Sequence, residues 1–169
     1  MNIIVTGASS GVGFEAVLEL ILSGKHKVIA LSRSQDKLER LLEIARGLNP
    51  DAEIYALAFD IVHDDYAGLL QFIGANFDNR VDVLVNNAGA LINKPFTDLL
   101  ETDFVEMLQT NFIGHVRIIQ SMLPVMSKGS HIVNIGSMGG YQGSIKFPGL
   151  SAYSASKAAL HTLTECLAL

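Results

Sequence analysis

The chain has one cysteine, Cys166, in 169 residues. A lone thiol forms no intrachain disulfide and no thiolate cluster for a metal, so a reducing, cytoplasmic setting is expected. Basic residues are also few. Twelve Lys and Arg stand against 17 Asp and Glu, for a net charge of -5, and no basic patch offers the surface that a phosphate backbone needs. No apolar run approaches the ~18 residues of a membrane span, and no charged segment with an apolar stretch and cleavage site precedes the first strand. Neither secretion nor membrane insertion is expected. The five histidines, His26, His63, His115, His131 and His161, lack metal-ligand spacing, and none pairs with a serine in a nucleophile elbow. They are read as surface or core residues, and no metal is expected. The Gly-Lys-Ser/Thr of a P-loop is missing as well, which speaks against ATP hydrolysis.

With 49% apolar and 17% charged residues, the chain can form one globular domain, residues 1–169, with a substantial core. Short Val/Ile/Leu-rich runs alternate with longer helical patterns. Strands are predicted at 2–6, 27–32, 53–59, 81–86 and 131–135. None of these runs alternates strictly, as suits parallel strands buried on both faces. Helices are predicted at 13–22, 35–46, 64–77, 102–126 with a break near Asn111, and from Ala152 onward. Such alternation implies right-handed crossovers and an α/β, Rossmann-like doubly wound sheet. The longest irregular stretch, 136–150, follows a strand and so belongs at the carboxyl edge of the sheet, where open α/β folds bind ligands.

Two motifs carry chemistry. The first strand runs into Gly7-Ala8-Ser9-Ser10-Gly11-Val12-Gly13, a turn that lets the backbone approach a pyrophosphate and leaves free amides at a helix N-terminus for an anion. After the second strand, Ser32-Arg33-Ser34 holds no acid for a ribose hydroxyl. Arg33 there suits the 2′-phosphate of NADP, with NAD the poorer fit. The second motif is Tyr153-Ser154-Ala155-Ser156-Lys157. Residues four apart share a helix face about 5.4 Å apart, and an ammonium beside a phenol favours the phenolate and so suits proton transfer near neutral pH.

In this order the motifs resemble those of the short-chain dehydrogenase/reductase family, from Asn2 to the C-terminus. The glycine motif matches Thr6 to Gly13, with Gly7, Ser9, Ser10, Gly11 and Gly13 in the cofactor turn. The family's adenine-contacting acid matches Asp60, and its Asn-Asn-Ala-Gly signature matches Asn86, Asn87, Ala88 and Gly89. Asn111 is similar to the family's helix asparagine, Ser137 to the serine after the fifth strand, and Tyr153 and Lys157 to the catalytic pair. The resemblance implies an NADP-dependent oxidoreductase moving a hydride between nicotinamide and a small-molecule carbonyl or secondary alcohol. Tyr153 would be the acid/base, Lys157 would hold the nicotinamide ribose, Ser137 would bind the substrate oxygen, and Asn111 would keep a helix kinked and anchor a water leading from Lys157 to solvent. It also implies a homo-dimer or tetramer formed through the helices around Gln109 and Ala158.

Two features depart from the family pattern. Ser137 precedes Tyr153 by sixteen positions, more than is usual, with the extra residues in Gly143 to Gly149; Ser144 is the alternative serine. Family members also continue past the Tyr/Lys helix with further strands, a Pro-Gly segment and a substrate-covering loop. The sheet is therefore expected to stop at five strands, ordered 3-2-1-4-5, with an exposed fifth strand in a domain incomplete at its C-terminus. A nucleotide-binding protein of the same fold without turnover is the alternative function.

Overall fold

The computed structural model describes residues 1–169. Five strands form one parallel sheet: β1 (Asn2–Thr6), β2 (Lys27–Ser32), β3 (Glu53–Ala58), β4 (Val81–Asn86) and β5 (Met126–Asn134), in the order β3-β2-β1-β4-β5. The crossovers carry α1 (Gly11–Leu22), α2 (Gln35–Leu48) and α3 (Tyr66–Phe77). Between β4 and β5 come α4 (Glu101–Leu108) and α5 (Gly114–Met122), and α6 (Ser151–Leu167) follows β5.

Side chains on successive strand residues point to opposite faces, and the central strand β1 feeds two cores. Ile3 and Val5 pack with Val17 and Ile21 of α1 and Leu38 and Leu41 of α2. Ile4, between them, packs on the other face with Leu69, Ile73 and Phe77 of α3 and Ile118 and Met122 of α5. A strand that serves two cores has no polar face, hence the unbroken apolar run. At the sheet edge the pattern changes, and β5 alternates half-buried with exposed residues along most of its length.

Two predicted elements differ substantially in extent, while several others shift by one or two residues at an end. The fifth strand begins at Met126, five residues before the expected 131. Gly129 takes a φ of +93°, and the pairing with β4 is irregular between Val81 and Val83, so the polar stretch Ser127-Lys128-Gly129 joins the strand instead of breaking it. The long helix predicted at 102–126 is divided. A π-helical turn at Gln109–Ile113 separates α4 from α5, and a 3₁₀ turn at Leu123–Val125, with Pro124 inside it, ends the run. Proline lacks the N–H that would continue the helix.

Candidate active site

The carboxyl ends of β1, β2 and β4 open into a cleft of about 830 Å³. It is lined along one side by Gly7, Ser9, Ser10, Arg33 and Asp60, and along the other by Asn87, Ala88, Gly89, Tyr153 and Lys157. These ten residues, far apart in sequence, were all expected at the site. Four others stand behind or beside the lining. Gly11 and Gly13 begin α1, Asn111 is fully buried, and Ser137 adjoins the lining residue Gly136.

The glycine turn is built against the Asn-Asn-Ala-Gly segment. Gly7 has a φ of +65°, and a Cβ on it would lie 2.7 Å from the Ala88 Cα; a Cβ on Gly13 would lie 2.6 Å from the Gly7 carbonyl oxygen. Only glycine permits so close an approach. Asn87 Nδ2 donates to the carbonyls of Thr6 (3.1 Å) and Gly7 (3.2 Å). Thr6 Oγ1 in turn accepts the backbone N–H groups of Asn87 (2.9 Å) and Ala88 (3.0 Å). Asn87 thus ties two strand ends together rather than capping its own. Asn86 does likewise, donating to Asn134 Oδ1 of β5 at 2.8 Å. Ser10 caps α1 without a side-chain hydrogen bond, which leaves the first amides of that helix free for an anion.

At the Arg33 end of the cleft, Ser32 Oγ donates to Ser9 Oγ at 2.7 Å. Asp60 accepts the Val62 N–H at 2.8 Å and lies 3.2 Å from His63 Nδ1. Burial raises its pKa, but the Val62 N–H, His63 and the charge of Arg33 outweigh that and hold it below the ordinary carboxylate value. α3 begins at Tyr66, and its N-cap is Asp65, which accepts from Ala67 N–H; Asp60 is not the acid of that helix. Lys37, in the first turn of α2, also lines the cleft.

At the opposite end Lys157 is only 4% exposed, and its Nζ donates to the Ile135 carbonyl at 2.9 Å. Burial disfavours the charged form and lowers the Lys157 pKa. Asn111 is held on the π turn. Its Oδ1 accepts the Ala90 N–H (2.8 Å), and its Nδ2 donates to the Ala90 carbonyl (2.9 Å) and to Ser156 Oγ (3.0 Å). It therefore clamps the Gly89–Ala90 segment to the helix that carries Lys157, and a Cβ on Gly89 would stand 3.1 Å from Asn111 Oδ1 and 3.7 Å from Lys157 Nζ. His115, also buried, lies 2.7 Å from the Ala88 carbonyl through Nε2. Ser137 Oγ accepts the Gly139 N–H at 3.1 Å. Ser144 instead bonds the carbonyls of Met138 and Tyr141 inside its own loop.

Sequence reasoning missed Lys37, Thr6 as an organiser of the turn, and the Ile135 carbonyl. Arg33 precedes the extended N-cap Ser34 and Lys37 lies in the first turn of α2, so no helical period in the sequence links the two. The roles of Thr6 and Ile135 depend on contacts between distant segments.

Together the parallel sheet, the cleft at its strand ends and the glycine turn define a Rossmann-like doubly wound α/β fold. The chain belongs to the short chain dehydrogenase family, whose model matches residues 1–169. It is 36% identical over 167 residues to the Bacillus subtilis oxidoreductase YusZ, a match covering 97% of this chain and 57% of that protein. A short-chain dehydrogenase structure from Streptomyces avermitilis is 35% identical and superposes with a TM-score of 0.81, over 98% of this chain and 58% of that one. A short chain dehydrogenase from Escherichia coli CFT073, solved with NADPH, is 27% identical with a TM-score of 0.88, over 99% of this chain and 70% of the other. The chain thus spans a little over half the length of its curated relative YusZ.

Proposed function

We propose that residues 1–169 form the dinucleotide-binding domain of an NADP-dependent oxidoreductase that interconverts a carbonyl and a secondary alcohol. The observation that carries this reading is the shared cleft, with the glycine turn and Arg33 at one end and Lys157, Tyr153 and Gly89 at the other. The turn residues Gly7, Ser9, Ser10, Gly11 and Gly13 would hold the pyrophosphate. Arg33, with Lys37 beside it, would take the 2′-phosphate, a charge-assisted contact that NAD lacks. Asp60 would meet the adenine, and Asn87, Ala88, Gly89, Tyr153 and Lys157 the nicotinamide riboside. The NADPH-bound E. coli relative supports the choice of cofactor.

A bound nicotinamide supplies the hydride in reduction and accepts it in oxidation. In reduction the Tyr153 hydroxyl gives its proton to the substrate oxygen, and in oxidation it takes that proton back. Ser137 donates its hydroxyl proton to the same oxygen, and its lone pairs already hold the Gly139 N–H in place. Lys157, anchored on Ile135 and largely stripped of water, provides a positive charge that needs no reorganisation as a phenolate forms. Asn111 keeps Gly89 and Lys157 in register through Ala90 and Ser156.

The exposed apolar residues Leu100, Val105, Leu108 and Ile113 around α4 support self-association into a dimer or tetramer, which sedimentation velocity would read as a species heavier than one 18.2 kDa chain; a monomer at all concentrations refutes it. Cytoplasmic location accords with the lone thiol Cys166 and is checked by fractionation of the native source, where recovery outside the cytosol would refute it.

NADPH oxidation with a panel of ketones and aldehydes tests the function. Turnover that falls by about 10²- to 10⁴-fold in Tyr153→Phe, with NADPH affinity retained, is the expected result. NADPH binding without turnover on any substrate, unchanged in Tyr153→Phe, would favour a non-catalytic nucleotide-binding role.

A further inference from the structure

His161 had no role in the sequence reading. It stands on α6 four residues beyond Lys157 and eight beyond Tyr153, on the helix face they share. Its Nε2 accepts the backbone N–H of Ser137 at 3.2 Å, one turn along from Lys157 Nζ, which donates to the Ile135 carbonyl at 2.9 Å. Two side chains of opposite polarity therefore grip the C=O and the N–H on either side of Gly136. A Cβ at position 136 would overlap the imidazole at Nε2, so the glycine is the space in which the ring sits. Tyr141 meets the ring edge-on at 6.3 Å between centroids. Because the Ser137 N–H can only donate, Nε2 must offer a lone pair, and the ring is neutral with its proton on Nδ1.

We propose that His161 is a positioning residue: by accepting the Ser137 N–H it locks the exit of β5 onto the helix bearing Tyr153 and Lys157, and so sets the Ser137 hydroxyl against the Tyr153 phenol. This rests on the assignment of both hydroxyls to the substrate oxygen. A displacement of about 1 Å in such a pair is enough to slow catalysis by about 100-fold, and no other side chain holds the Ser137 amide.

The test uses the full chain with ¹⁵N labelling, together with His161→Leu, which removes the acceptor, and His161→Gln, which restores one. The imidazole nitrogen shifts of His161 should report a neutral ring protonated at Nδ1. In His161→Leu, exchange of the Ser137 amide should speed up by about tenfold and kcat should fall by about 10- to 100-fold, while the NADPH Kd stays within about twofold of the parent; His161→Gln should recover most of both losses. A proton on Nε2, a His161→Leu variant with parental exchange and kcat, or a His161→Gln variant as impaired as His161→Leu would each overturn the proposal. If the parent chain turns over no carbonyl, the oxidoreductase reading fails separately, and the tautomer and the Ser137 exchange still decide whether His161 holds that segment.

Discussion

On the proposed reading, cofactor choice turns on Arg33 and Lys37. Both line one end of the cleft, where the only acid of the lining, Asp60, accepts the Val62 N–H and lies against His63. A cation pair without a free carboxylate favours a phosphate over a ribose diol. Arg33→Ala should therefore weaken NADPH binding by about 10- to 100-fold, the worth of one charge-assisted hydrogen bond, and Lys37→Ala by a smaller factor, while NADH affinity moves little. Fluorescence titration of each variant with both nucleotides checks this. An equal loss for NADH and NADPH would mean that neither cation contacts the 2′-phosphate. That Arg33 lines the cleft was legible because the end of the second strand borders the ligand crevice in this kind of fold. His161 was not legible, because its partner is a backbone amide 24 residues away.

Among the elements, the π turn at Gln109–Ile113 has the clearest consequence for the site. Asparagine is a poor helix former because its side chain competes for backbone groups, and Asn111 does so here across segments, satisfying both polar groups of Ala90 and reaching Ser156. The break near Asn111 was legible from that misfit. Its π form was not, since one extra residue in a turn leaves the apolar period almost unchanged on either side. The boundaries of β1, β2 and β4 match their apolar runs because both faces of those strands are covered, whereas the polar start of β5 is tolerated at the sheet edge. Asn111→Leu should lower stability by roughly 2–4 kcal/mol, since it strands the Ala90 amide and carbonyl away from their partner. Urea denaturation should show a lower midpoint at unchanged slope. A midpoint equal to the parent would mean that water or the backbone replaces the asparagine at no cost.

At the scale of the whole molecule, the buried histidine behind the Asn-Asn-Ala-Gly segment links stability to pH. His115 lies against the Ala88 carbonyl, so Nε2 carries the proton, and its Nδ1 is buried without a partner. Burial, with a smaller contribution from the Lys157 charge, lowers its pKa from 6.5 to about 4 against the opposing pull of the Ala88 carbonyl. The unfolded chain then binds more protons than the folded one between these values, so stability is full above 6.5 and declines as the pH falls toward 4. The loss attributable to His115 should be on the order of 3 kcal/mol at pH 4. Unfolding free energies measured from pH 7 to 4 should fall more steeply for the parent than for His115→Gln. Parallel curves would show that His115 titrates alike in both states. Asp60, Asp82 and Asp103, whose pKa values are lowered in the fold, lose their contributions only below the carboxylate range of about 3.8, so the two effects separate along the pH axis.

The most direct measurement is the fate of the hydride. NADPH carrying deuterium at the transferring C4 position is incubated with the chain and a carbonyl that it turns over, and the alcohol is examined by mass spectrometry and NMR. Deuterium on the former carbonyl carbon, in one stereochemical sense and lost with turnover in Tyr153→Phe, is the predicted result. An unlabelled alcohol, or label transfer that persists undiminished without the Tyr153 hydroxyl, would contradict the account.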